Sequence, residues 1–219
     1  MANRISGLYG VTPETSDDAW LCERVEQALH GGMALLQYRA KQADRALRLR
    51  QSRALLTLCR RQGVPLLIND DVELALAIGA DGVHVGRDDA APAHARSVLG
   101  AHAIVGVSCY ADLDRIELAR GARADYVAFG SFFPSRVKPD AVPAPLDLLR
   151  RARARWELPL VAIGGITPQN ARAVVAHGAD AVAVISALFD VADSFGAARA
   201  FAACFERSTS AEATPHAIT

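Results

Sequence analysis

GADGVHVG at residues 79–86, RADYVAFG at 123–130 and GADAVAVIS at 178–186 are three versions of one local pattern. In each, an Ala-Asp pair closes a helical stretch and a valine-rich run follows. The runs are almost continuously apolar rather than alternating, the mark of strands covered on both faces, as in parallel sheets. Working outward from these three, further runs of the same kind are GLYGVT (7–12), MALLQYR (33–39), VPLLIN (64–69), AIVGVS (103–108) and LPLVAIG (158–164). With residues 81–85, 125–130 and 180–186 they make eight strands. Amphipathic segments rich in Ala, Leu and Arg alternate with them at 17–31, 43–62, 71–79, 90–99, 111–121, 144–156, 168–178 and 187–206. Within 43–62, Leu49, Leu56 and Cys59 share one helical face, flanked by arginines. Eight βα units in about 200 residues predict an α/β fold, a (β/α)8 TIM barrel. An open doubly wound sheet is the alternative, but no G-x-G-x-x-G follows the first strand.

The totals agree with one soluble domain. The chain has 219 residues, 51% hydrophobic and 22% charged, with 24 Lys plus Arg against 24 Asp plus Glu. A neutral chain of this kind argues against a nucleic-acid or membrane surface. No run is long enough to span a bilayer, and the first residues lack the apolar core of a signal peptide. Cys22, Cys59, Cys109 and Cys204 are scattered, which reads as reduced thiols in a cytoplasmic protein rather than a disulfide frame or zinc site. The expected organisation is a barrel domain over 1–207 and a disordered tail over 208–219.

A barrel puts its chemistry where strands end, on the loops at the carboxyl face. The second strand ends in QYRAK, with Gln37, Arg39 and Lys41 at alternate positions and so on one side. Two cations and an amide suit an anionic, oxygen-rich ligand, although a solvated turn would look the same. The third strand ends in Asn69-Asp70-Asp71 and the fourth in VGRDD (85–89). Adjacent strands lie about 4.8 Å apart, so acids just past both ends can share a cation. Oxygen ligands without His or Cys point to Mg2+, which takes one or two carboxylates and completes its shell with water and phosphate. Helix capping is the competing explanation, and it suits Asp71 and Asp88 better than Asp70 and Asp89. His84, inside the fourth strand, reads as a barrel histidine with its hydrogen bonds satisfied. Ser108 ends the fifth strand, with capping of the next helix as an equal contender.

The longest loop, GSFFPSRVKPDAVPAP (130–145), follows the sixth strand and reads as a substrate-covering loop. It adds Ser135, Arg136 and Lys138 to the same face. The seventh strand ends in AIGGITPQN (162–170). There Gly164-Gly165 permits close backbone approach, Thr167 suits an N-cap and Pro168 a first helical position. The eighth ends at Ile185-Ser186. Barrels bind phosphate with backbone N–H groups at these last two loops. The mouth therefore carries two expected anion sites. One is cationic with a metal, made of Gln37, Arg39, Lys41, Asn69, Asp70, Asp89 and Lys138. The other is a backbone cradle of Gly165, Ile185 and Ser186, with Ser135 near.

These strand ends, in this order, resemble the thiamine-phosphate synthase family. QYRAK, ND, VHVGRDD, GVS, GSFFPSRVK, IGGI and VIS match that family's seven successive motifs across residues 7–205. The resemblance implies an enzyme joining 4-amino-2-methyl-5-pyrimidinylmethyl diphosphate to a carboxylated thiazole ethyl phosphate, releasing thiamine phosphate, pyrophosphate and CO2. It implies that Gln37, Tyr38, Arg39, Ala40, Lys41, Asn69, Ser108 and Lys138 hold the pyrimidine diphosphate. Asp70 and Asp89 would hold Mg2+, and Ser135, Arg136, Val137, Gly165, Ile185 and Ser186 the thiazole phosphate. Arg39, Lys41 and Lys138 would be catalytic, stabilising the departing pyrophosphate, and no nucleophile is implied. Two positions depart from the pattern: Val137 stands where a second threonine is usual, and Arg87 where glutamine is common. A homo-oligomer is compatible with the sequence, which does not set the assembly. The rivals are a thiazole tautomerase, which needs no diphosphate set, a sugar-phosphate aldolase or isomerase, and a non-catalytic ligand-binding barrel. An aldolase would want a strand-borne Schiff-base lysine, and Lys41 and Lys138 lie beyond strand ends.

Overall fold

A computed structural model describes residues 5–86, 92–135 and 142–206. Eight parallel strands close on themselves in sequence order, β8 pairing with β1. They are β1 Gly7–Val11, β2 Met33–Tyr38, β3 Leu66–Asn69, β4 Gly82–Val85, β5 Ile104–Tyr110, β6 Tyr126–Gly130, β7 Leu160–Ile163 and β8 Ala181–Val184. The helices are α1 Asp18–His30, α2 Arg45–Gln62, α3 Val72–Ile78, α4 Pro92–Leu99, α5 Arg115–Gly121, α6 Asp147–Arg153, α7 Pro168–Ala176, α8 Ser186–Phe189 and α9 Ser194–Ala202. The expected tail over 208–219 falls outside the described residues. No described helix is long and apolar enough to cross a membrane.

Closure makes two cores, which is why the strands read as continuous apolar runs. Alternate residues such as Tyr9, Leu35, Leu67, Tyr126 and Val161 fill the barrel, while Leu8, Leu36, Leu66, Val127 and Leu160 pack outward under the helices. On α2, Leu56 and Cys59 are buried and Leu49 packs at the edge of the same cluster. All four cysteines are free, and burial pushes the Cys59 and Cys109 thiols up to about 12.

The repeated Ala-Asp pair has a structural purpose. The carboxylates of Asp81, Asp125 and Asp180 precede β4, β6 and β8, every second strand. Each accepts from an N–H at the start of the strand before: Leu66 N at 2.8 Å, Val105 N at 2.7 Å and Leu160 N at 2.8 Å. Arg96 pairs with Asp125 and Arg153 with Asp180. Both guanidinium groups also donate to carbonyls of the adjoining turns, Arg153 to those of Trp156, Leu158 and Gly178. The device sits at the amino end of the barrel, the face that carries stability rather than chemistry.

Three helix boundaries differ from the sequence expectation. The single helix expected over 187–206 is two, α8 and α9, because Asp193 stops the run and caps a new start, accepting from Gly196 N at 2.8 Å. α5 begins at Arg115 rather than 111, after a turn in which Asp112 accepts from Asp114 N at 2.9 Å. α6 begins at Asp147 rather than 144, after Pro143 and Pro145.

Candidate active site

A cavity of about 550 Å³ opens at the carboxyl end of the barrel. Gln37, Arg39 and Lys41 line it from β2, Asn69 and Asp70 from β3, and His84 and Ser108 from β4 and β5. Ser135, Gly165, Ile185 and Ser186 complete the opposite side. Tyr38 and Ala40 alternate away from it, as period 2 requires. Tyr38 is buried against α2, its hydroxyl donating to Gln51 Oε1 at 2.9 Å. Ala40 lines a second cavity of about 480 Å³ outside the barrel wall. The structure therefore does not bring the Tyr38 side chain to the mouth. Asp89 and Arg87 lie outside the described residues, as do Arg136, Val137 and Lys138.

The cationic side is positioned by the end of β1, which the sequence reading passed over. Thr12 is fully buried; its Oγ1 accepts from Arg39 N at 2.8 Å and donates to Arg39 O at 3.2 Å. Its own N–H donates to Gln37 O at 2.9 Å. Thr12 thus fixes the backbone that presents Gln37 and Arg39. Glu14 follows, its carboxylate 3.5 Å from the Arg39 guanidinium and accepting from Gln42 N at 2.5 Å. A polar residue just past the first strand was the available signal.

Backbone conformation separates the two aspartates after β3. Asp71 is the N-cap of α3, accepting from Leu74 N at 2.8 Å, so capping does explain it. Asp70 has φ 62°, a left-handed conformation that Asp tolerates better than most residues. Its N–H donates to His84 O at 2.9 Å, and its Oδ2 accepts from Asn69 Nδ2 at 2.5 Å and lies 2.8 Å from Lys41 Nζ. The turn thus aims one carboxylate into the cavity and spends the next on the helix. Oxygen-only donor chemistry at Asp70 fits Mg2+ held through one or two carboxylates. Among the described residues no group of three or more His, Cys, Asp or Glu is arranged for a metal.

Ser108 is not a helix cap, since α5 starts at Arg115. Its hydroxyl lies 2.8 Å from His84 Nε2, and His84 Nδ1 lies 2.8 Å from the Tyr126 hydroxyl. His84 is therefore a satisfied barrel histidine, and burial pushes its pKa down to about 4. Burial likewise raises the pKa values of Tyr9 and Tyr126. Arg115, also missed, donates to Ser108 O at 2.9 Å and ties the end of β5 to that of β4 through Gly86 O at 3.4 Å.

On the other side, the loops after β6 and β7 are zipped together. Phe132 N donates to Ile163 O at 3.2 Å and Phe133 N to Gly164 O at 3.0 Å. Gly165 has φ 62°, and a Cβ there would stand 2.3 Å from Pro134 O and 2.6 Å from Phe133 O. Only glycine permits that approach. Thr167 caps α7 with Pro168 behind it, and its N–H donates to Asn170 Oδ1 at 2.8 Å. Ile185 is the N-cap of α8, whose first N–H groups lack partners within the helix.

Comparison with known proteins agrees with this geometry. The family profile described as thiamine monophosphate synthase matches residues 8–188. A thiamine-phosphate synthase of Azoarcus sp. (strain BH72) is 56% identical over 205 residues, covering 94% of this chain and all of that one. The one from Bordetella bronchiseptica is 53% identical, covering 91% of this chain and 95% of its own length. Among solved structures, thiamine phosphate pyrophosphorylase from Pyrococcus furiosus superposes with a TM-score of 0.82 at 33% identity, covering 92% of this chain and 96% of that one. 3-Hexulose-6-phosphate synthase, at 18% identity and a TM-score of 0.67, shares the fold.

Proposed function

Because this chain belongs to the thiamine monophosphate synthase family of transferases, we propose that it condenses 4-amino-2-methyl-5-pyrimidinylmethyl diphosphate with a thiazole ethyl phosphate. The thiazole enters in its carboxylated form, and the products are thiamine phosphate, pyrophosphate and CO2. One observation carries this reading. A single cavity is lined on one side by Gln37, Arg39, Lys41 and Asp70, and on the other by Gly165, Ile185 and Ser186. Two phosphorylated substrates that must meet need two anion sites facing one space.

The division of labour follows from charge. Arg39 and Lys41, joined by Lys138, bind the diphosphate and stabilise it as negative charge grows on the leaving group. Asp70 and Asp89 would hold Mg2+, which supplies further neutralisation of the phosphate oxygens when bound. The amino group of the pyrimidine donates electrons toward its ring, so positive charge at the exocyclic methylene is tolerated when the diphosphate departs. The thiazole nitrogen then attacks that carbon, and the thiazolium so formed sheds its carboxylate as CO2, a proton from water taking its place. No side chain forms a bond, and positioning with leaving-group electrostatics supplies the acceleration. Val137 in place of a second hydroxyl removes one charge-assisted hydrogen bond to the thiazole phosphate, worth about 1.5–3 kcal/mol, which weakens affinity without abolishing it. A soluble biosynthetic transferase of this kind would work in the cytoplasm.

The test is incubation with both substrates and Mg2+. Thiamine phosphate and pyrophosphate are expected in equal amounts. A protein that binds both substrates and forms neither product would be a binding barrel, and the reading would fail.

A further inference from the structure

The two cations at the end of β2, Arg39 and Lys41, line the cavity, and each is met by a carboxylate from beyond a flanking strand. From the β3 side, Asp70 Oδ2 lies 2.8 Å from Lys41 Nζ, and that carboxylate has a use in holding a metal. From the β1 side, Glu14 Oε2 lies 3.5 Å from Arg39 Nη1, and no step of the proposed reaction uses it. Its other oxygen, Oε1, accepts from Gln42 N at 2.5 Å. A glutamine of the same length would accept that bond equally well. The negative charge beside Arg39 is what needs a reason.

Aiming Arg39 is not that reason. Its backbone is already fixed by Thr12, whose Oγ1 accepts from Arg39 N and donates to Arg39 O. The Glu14 contact reaches one guanidinium nitrogen and is longer than a charge-assisted hydrogen bond, so most of the guanidinium donors remain for a bound anion. What Glu14 does supply is a field. A carboxylate and a phosphate oxygen on the same guanidinium lie within a Debye length of about 8–10 Å, so they repel one another. Glu14 therefore works against any diphosphate held by Arg39, substrate and product alike.

We infer that Glu14 weakens the hold of Arg39 on diphosphate and so sets how readily pyrophosphate leaves the site. This deepens the function proposed above and rests on it. The charges that stabilise the leaving group also bind it once it has left, and a product held by several cations blocks the next turnover. A carboxylate that reaches only Arg39 offsets part of that attraction without touching the reacting atoms. Because it acts on substrate and product alike, it moves the KM for the pyrimidine diphosphate and the affinity for pyrophosphate, and does not raise the barrier to the chemical step.

The experiment titrates pyrophosphate with Mg2+ into the wild type, Glu14→Gln and Glu14→Asp by calorimetry at low and high salt, beside steady-state kinetics. Glu14→Gln keeps the length and the acceptor for Gln42 N but loses the charge, and Glu14→Asp keeps the charge on a shorter arm. Glu14→Gln should bind pyrophosphate about three- to tenfold more tightly at low salt, and the gap should shrink as salt rises. Its KM for the pyrimidine diphosphate should fall by a similar factor with kcat no higher. Glu14→Asp should stay closer to the wild type than to Glu14→Gln, and KM for the thiazole phosphate should be the same in all three. A carboxylate that only braces the loop would give the reverse order, with Glu14→Asp disturbed and Glu14→Gln normal. That order, or unchanged or weaker pyrophosphate binding by Glu14→Gln, overturns the inference and leaves the condensing activity standing. A wild type that binds pyrophosphate but forms no thiamine phosphate overturns the proposed function, and the titration, which needs no turnover, still decides the role of Glu14.

Discussion

Replacing Gly165 by alanine probes the contact that shapes the phosphate cradle. The new Cβ would stand 2.3 Å from Pro134 O and 2.6 Å from Phe133 O, both backbone atoms with no rotamer to escape into. One of the two loops must retreat by about 1 Å, an overpacking strain of about 1–3 kcal/mol. Holding alanine at φ 62° adds roughly 1 kcal/mol. In a domain of this size a total of about 2–4 kcal/mol lowers Tm by on the order of 10 °C. Gly63→Ala is the matched control, since Gly63 has φ 65° but nothing within 4 Å of its added Cβ. It carries the conformational cost without the collision. Thermal unfolding of both variants, with calorimetric titration of the thiazole phosphate, separates the two contributions. Gly165→Ala should melt well below Gly63→Ala and lose affinity for the thiazole phosphate, while Gly63→Ala binds normally. Equal melting points and intact affinity in both would refute the claim that backbone approach between the two loops forms the cradle.

Other expectations follow from the same coordinates. Burial lowers the His84 pKa from 6.5 to about 4, so as pH falls through this window the unfolded chain takes up a proton before the folded one does. Stability is full above pH 6.5 and falls by ~3 kcal/mol toward pH 4. His84→Asn should lack this component, and superimposable pH profiles of the denaturation midpoint would contradict it. Arg153→Met removes donors from Asp180 and several turn carbonyls and should cost about 1–2 kcal/mol in urea unfolding, with kcat/KM unchanged; lost activity at full stability would misplace this clamp. Lys138→Ala should slow coupling and leave calorimetric affinity for the thiazole phosphate intact, and loss of that affinity would reverse the assignment of Lys138 to the diphosphate.

The barrel was legible because closure buries both faces of every strand, and continuous apolar runs between amphipathic segments record that directly. The Ala-Asp repeat was legible as a repeat; its purpose, carboxylates capping every second strand, needed coordinates because the partner N–H lies 15 to 20 residues away. Strand-end reasoning brought Gln37, Arg39, Lys41, Asn69, Asp70, Ser108, Gly165 and Ser186 to one cavity. A family motif carried over as a contiguous run does not distinguish the two faces of a strand. Tyr38 is the even residue of a period-2 strand and faces α2. Thr12 was missed because its role is exercised through backbone atoms of Arg39. The Tyr9–Tyr126 contact joins residues 117 apart in sequence, which no local pattern encodes. The basic cluster beside Asp70 already set it apart from the capping Asp71, and φ 62° at Asp70 supplied the physical reason.

The most direct test of the account is the rate of pyrophosphate release against free Mg2+ for the wild type and Asp70→Asn. The wild type should be inactive in chelator and saturate with Mg2+, while Asp70→Asn should keep its melting temperature and need about tenfold or more Mg2+. Full rate in chelator, or the same Mg2+ dependence in both proteins, would contradict it.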